Sequence, residues 1–131
     1  MIARVRSQRG ASAIELVLYT PIMFFVIFLI IQFALHYHGQ QVAHAAAREG
    51  ARIARTTFDA DPGLQQAQAR AASYAGQVGG NQLTDIKVTA GQSGDTVWVQ
   101  VCGRPKEIIK NVTPRVCRSV EGPVERFRPD V

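Results

Sequence analysis

Polarity along this chain follows three rhythms in turn. Leu16–Leu35 is a run of twenty residues with no formal charge. As an α-helix it would rise ~30 Å, the thickness of a bilayer core. Pro21 lies early in the run, where its missing N–H should bend or loosen a helix. Gln32 is the only plainly polar side chain deep inside. Tyr19 and Tyr37 lie near the two ends, with His36 and His38 beside the second, as in an interfacial belt. Beyond the run the pattern becomes helical with one small-residue face. Gly39, Ala43, Ala46, Ala47, Gly50, Ile53 and Ala54 share it, and Gln41, His44, Arg48, Arg52 and Arg55 fall opposite. One helix is therefore expected from about Ser12 to Thr56. Small residues admit another backbone closely, so the stripe suits either the chain's own sheet or a neighbouring subunit. The opposite ridge reads as a solvated face.

Phe58–Gly63 should break this helix. Asp61 is a suitable N-cap and Pro62 a suitable first helical residue for a short second helix over about Pro62–Gly76. After Gly79-Gly80-Asn81 the period changes to two. Ile86, Val88 and Ala90 alternate with polar residues, then Val97, Val99 and Val101 alternate with Trp98, Gln100 and Cys102, across a turn at Gly91–Asp95. This predicts a hairpin, with Trp98 covering a helix. Gly103–Pro114 reads as a loop holding a turn of helix at Lys106–Lys110. A third strand is expected from near Val116 through Val120, resuming at Val124–Phe127, ahead of a frayed end at Arg128–Val131. The fold class is α+β: a long N-terminal helix, a short second helix and a small antiparallel sheet of two to three strands.

Composition sharpens this only in places. The chain has 131 residues, a hydrophobic content of 47% concentrated in the one run, and a net charge of +5. Arg4, Arg6 and Arg9 supply three of those charges, so basicity is mostly a leader property and no argument for nucleic acid. The leading arginines lie closer to the run than Arg48, Arg52 and Arg55 do, which places the N-terminus in the cytoplasm. Cys102 and Cys117 are spaced for neither a CxxC motif nor a zinc site. On the oxidising side of a membrane a disulfide between them is expected, worth about 3 kcal/mol for a loop of about 15 residues.

Candidate chemistry is sparse. No histidine follows His44, and Asp85, Asp95, Glu107, Glu121 and Glu125 are scattered over turns and strand surfaces. Phosphate loops, dinucleotide fingerprints and HExxH are missing from the sequence. The reading is no enzyme, no metal and no cofactor. The residue that stands out is Glu15. A carboxylate at the mouth of an apolar span is unfavourable, by roughly 2.5–3.5 kcal/mol for an acid at the helix centre and less near the ends. Cleavage after Gly10 would create an α-amino group on Ala11, one helical turn from Glu15, and that amine is a candidate partner.

A basic leader ending in Gly10, Glu15 at the fifth place after it and an apolar helix beyond resemble the class III signals of type IV pilin-like proteins. With Pro21 in the span and the run Ala46-Ala47-Arg48-Glu49-Gly50-Ala51-Arg52, the sequence more closely resembles the TadE family of minor, pilin-like proteins of the Tad (Flp) pilus system. The tail Val124–Phe127 is similar too, less specifically. The resemblance implies cleavage between Gly10 and Ala11 by a prepilin peptidase and an assembly role for Glu15. It also implies other Tad pilins, minor pilins and the membrane platform as partners besides the lipid bilayer.

The expected organisation is a leader over 1–10, a transmembrane helix over 11–35, its extramembrane continuation over 36–56 and a small extracytoplasmic domain over 57–131. Helix packing falls to Gly39, Ala43, Ala47, Gly50 and Ala54. Two other readings stand beside this one. A signal peptidase cutting at Ala43-His44-Ala45 would release a secreted domain, although the apolar run exceeds the ~7–15 residues usual for that signal. Alternatively, a membrane-anchored binding domain would never polymerise and would keep Met1–Gly10.

Overall fold

The computed structural model of the chain describes residues 9–57 and 62–126, with side chains from Ser12 onward. Residues 1–8, 58–61 and the tail beyond Arg126 lie outside the described residues, and with them the arginines of the leader before Arg9, most of the expected helix break with its N-cap Asp61, the end of the expected final strand and the expected frayed end. The chain divides into two compact units, Met1–Phe33 and Ala34–Val131.

The first unit is helical throughout its described part. Helix α1 spans Arg9–Thr57 and continues unbroken through Pro21. Pro21 offers no N–H to the preceding turn, while the neighbouring Thr20 hydroxyl donates to the Leu16 carbonyl at 2.6 Å. The apolar segment has a mean hydropathy of 2.5 over its best window, none of which is buried within the chain. A core helix of a soluble protein would be covered on one face; this segment is not.

The second unit begins with the outer part of α1 and adds α2 (Gly63–Gly79), a single 3-10 turn at Gly80–Gln82, and strands β1 (Leu83–Ser93), β2 (Thr96–Pro105) and β3 (Val116–Pro123). The sheet is antiparallel in the order β1-β2-β3. Val97, Val99 and Val101 alternate along β2 as the pattern predicts, all fully buried. They meet Ala67, Ala71 and Ala75 of α2 and the alanine stripe of α1 in one core. Helices cover one sheet face, because inward residues recur at every second strand position.

The small-residue stripe lies inside this core. Gly39, Ala43, Ala46, Ala47, Gly50 and Ala54 are all buried, joined by Val42 and Ala51. A Cβ added at Gly50 would stand 2.9 Å from both Ala71 Cβ and Val99 Cγ1; one at Gly39 would stand 2.8 Å from Pro105 Cβ. The helix thus approaches its own α2 and β2 as closely as backbone permits.

Four expectations change. Helix α2 starts at Gly63 and runs to Gly79, with Pro62 at the N-cap, because Pro62 takes a non-helical conformation (φ −109°, ψ 56°). Trp98 does not cover a helix. It lies on the opposite sheet face from Val97 and Val99, its ring over Gly91, where a Cβ would come within 2.6 Å. The third strand is continuous from Val116 to Pro123 and stops there; the Val124 N–H instead donates to the Asp95 carbonyl at 2.9 Å.

Finally, Lys106–Lys110 is not helical. Its loop folds around the Glu107 carboxylate, which accepts from the backbone N–H groups of Asn111, Val112 and Thr113 and from the Thr113 hydroxyl at 2.7 Å. These donors, the Thr113 hydroxyl foremost, hold the Glu107 pKa down at about 2. An acid that gathers four donors in a turn leaves no reason for the backbone to bond to itself as a helix.

Cys102 and Cys117 are register partners on β2 and β3 and form a disulfide. The bridge lies on the sheet face away from the helices, beside Lys87 rather than in the core.

Replacing Gly50 by Ala tests the close approach. Helix propensity alone would stabilise by about 1 kcal/mol. The atoms in the way belong to a packed alanine, a buried valine and the Ala67 carbonyl, and overpacking of this kind costs about 1–3 kcal/mol. Thermal unfolding followed by circular dichroism in detergent should therefore give a lower midpoint for Gly50→Ala. Gly76→Ala, with open space around it, should give an equal or higher one.

Candidate functional site: the head of helix α1 and the Ala46–Arg52 run

Two stretches of α1 carry the residues singled out in the sequence. At its head the backbone is helical across Gly10 and Ala11. Ala11 and Glu15 therefore stand one turn apart, separated by about 6 Å along the axis at 1.5 Å per residue. Glu15 is exposed, and among the described residues it forms no ion pair. Ile14, Leu16, Val17 and Leu18 around it are exposed too. The carboxylate therefore stands on an apolar helix, and among the described residues its neighbours offer no charge to answer it.

The second stretch, Ala46-Ala47-Arg48-Glu49-Gly50-Ala51-Arg52, resolves into two jobs. Ala46, Ala47, Gly50 and Ala51 enter the core. Glu49 sits at the edge and receives the Arg52 guanidinium through two hydrogen bonds, at 3.0 and 2.8 Å, and Arg70 Nε of α2 at 3.2 Å. The Arg52 hydrogen bonds, with Arg70 assisting, hold the Glu49 carboxyl at about 2 against an ordinary 4.5.

The basic ridge is mostly exposed, Arg52 included although it is paired, and Arg55 alone is half-buried. Arg52 is tied to Glu49, and the Arg55 side chain lies along β3, where a Cβ on Gly122 would meet its Cδ at 3.0 Å. Arg55 also accepts at its carbonyl from the Glu125 N–H, at 3.2 Å. Arg48 remains exposed. Sequence reasoning missed Glu49 and Arg70 as partners. An acid between Arg48 and Arg52 was visible, but nothing in the sequence could bring Arg70 to it from another helix.

The stretches are different in kind. The head of α1 presents an exposed acid and an uncovered apolar surface; the Ala46–Arg52 run docks α1 onto its own α2 and sheet. The two cysteines belong with the second, as a brace on the far face of the sheet. Among the described residues no group of three His, Cys, Asp or Glu side chains is placed to hold a metal.

An uncovered apolar helix continuing into a small α+β domain makes this chain a candidate single-span membrane protein. Residues 10–52 match the model of a known family, described as TadE-like protein. That segment holds Glu15, the apolar run and the Ala46–Arg52 run, and the match points to a Tad pilus-associated protein with an N-terminal apolar helix. Neither the curated proteins nor the solved structures include a match to the chain.

Acidification tests the Glu49 junction. Its folded pKa is about 2 and its ordinary value 4.5, so between these values the unfolded chain binds more protons and stability rises with pH. The contribution is complete above about pH 4.5 and should be lost as pH falls towards 2. Unfolding midpoints recorded across that window should fall less steeply for Glu49→Gln than for the unaltered chain.

Proposed function

We propose that the chain is a minor, pilin-like structural subunit of a Tad (Flp) pilus, made ready by prepilin peptidase cleavage after Gly10. Its C-terminal domain faces away from the cytoplasm, and its partners are other Tad pilins, minor pilins and the membrane platform. The carrying observation is the exposed Glu15 one turn beyond the Gly10–Ala11 bond, at the head of an uncovered apolar helix within the matched segment. Cleavage removes the leader arginines and leaves a single amine as the basic anchor. Glu15 neutralises that amine, on its own chain or on a neighbour entering the fibre. The pairing is strong because charges attract more in a low dielectric than in water.

The packing narrows how subunits meet. The outer stripe of α1 is occupied by the chain's own α2 and sheet. Contact between neighbours therefore falls to the apolar segment, whose side chains from Ile14 to Phe33 are largely exposed. The role is structural, with no reaction of its own. Cleavage near Ala45 fits the domain poorly, since it would discard Gly39, Val42 and Ala43 from the core.

Two measurements test the proposal. The intact mass of the membrane-extracted protein should correspond to a chain starting at Ala11; a start at Ala46 or at Met1 overturns the processing step. Glu15→Ala should insert into the membrane normally yet abolish pilus formation, seen by electron microscopy of the producing cells. Normal piliation would rule out the role of Glu15.

A further inference from the structure

The β2–β3 hairpin has a definite direction along α1. Arg55 lies against Gly122, Gly50 against Val99 and Gly39 against Pro105. As β2 advances towards Pro105 it descends α1 towards Gly39. The opposite end of the sheet, at Asp95 and Val124, lies near Arg55. The connection Lys106–Arg115 therefore leaves and re-enters the sheet at the Gly39 end of the second unit's share of α1. That share starts at Ala34 and Leu35, the last two residues of the apolar run. Pro114 and Arg115 line one cleft with His36 and Gln40, and Arg118 of β3 hydrogen-bonds Gln40.

At this edge the loop displays apolar side chains. Ile109 and Val112 are 61% and 59% exposed, and Ile108 is 49% exposed. Lys106 and Lys110 are exposed among them. The nearby acids are already engaged: Glu107 by the loop's own N–H groups and Asp85 by Arg115 at 2.6 Å. The loop surface is thus apolar and cationic, with its carboxylates turned inward or paired.

We infer that the Lys106–Arg115 loop is a second membrane contact. Ile109 and Val112 enter the headgroup region of the leaflet from which α1 emerges, and Lys106 and Lys110 meet its anionic phosphates. The inference rests on the reading that Leu16–Leu35 spans the bilayer. Apolar residues flanked by lysines suit an interface, where the stems lie along the acyl boundary and the ammonium groups reach outward. A second copy docking the same surface would bring like lysines together, which disfavours it. The Glu107 cage gives the loop a fixed shape, so little ordering is needed on contact.

Single-tryptophan chains test it in vesicles of phosphatidylethanolamine and phosphatidylglycerol with brominated acyl chains. In a Trp98→Phe background, Ile109→Trp and Val112→Trp report on the loop and Phe28→Trp on the span. Emission at both loop positions should shift to shorter wavelength and lose intensity to bromolipid, more to shallow than to deep bromines. If Phe28→Trp is quenched while the loop positions emit as in water and are quenched by iodide, the loop proposal fails and the span stands. If Phe28→Trp is not quenched, both fail. A blue shift without bromolipid quenching that grows with protein-to-lipid ratio would assign the surface to a second copy and overturn the lipid proposal. Independently of any substitution, a photoactivatable phospholipid should label Lys106–Arg115 of the unaltered chain; labelling confined to α1 counts against it.

Discussion

How near α1 can come to its own domain governs the second unit. At Gly50 a single methyl would fall 2.9 Å from Ala71 and from Val99. The alanines above and below are buried too, so no bulky α1 side chain holds the helix away from α2 and β2. The core that results is built from alanine and valine, with Val97, Val99 and Val101 its largest fully buried side chains. Such a core gains little from the bulk of its side chains. It depends on close backbone approach and on having few rotamers to freeze, since alanine loses no side-chain entropy on burial.

That constraint divides α1 by surface as well as by sequence. The segment through Phe33 leaves its apolar residues uncovered, while the segment from Gly39 onward is sealed against the sheet. Among the described residues the apolar part is uncovered and is a candidate membrane span. The outer part is a structural member of the small α+β domain. Edge charges finish the seal: Glu49 links α1 to α2 through Arg70, and Arg115 clamps Asp85 where the β1–β2 register shifts.

The disulfide and the Glu107 loop act at the edges left open. Cys102 and Cys117 join β2 to the edge strand β3 on the sheet face that no helix covers. Glu107 gives a connection without regular structure an internal anchor, so that Ile109 and Val112 are displayed rather than folded under. Both devices supply locally what a small core cannot supply from its centre.

Much of this was legible in the chain itself. The apolar run, the stripe from Gly39 to Ala54, the alternation of Val97, Val99 and Val101 and the pairing of the two cysteines are all periodic or compositional, and period follows from backbone geometry alone. Glu15 was legible as a carboxylate set into an apolar helix. The site of the Trp98 ring was not, because alternation separates two faces without saying which one the helices take. Nor was the loop at Lys106–Lys110, where local propensity favoured a helical turn until Glu107 captured the N–H groups of Asn111, Val112 and Thr113. The Glu49–Arg70 link and the cleft that Pro114 and Arg115 form with His36 and Gln40 needed the tertiary structure for the same reason. They join residues distant in sequence, and only the packing of α1 against the sheet decides which of those meet.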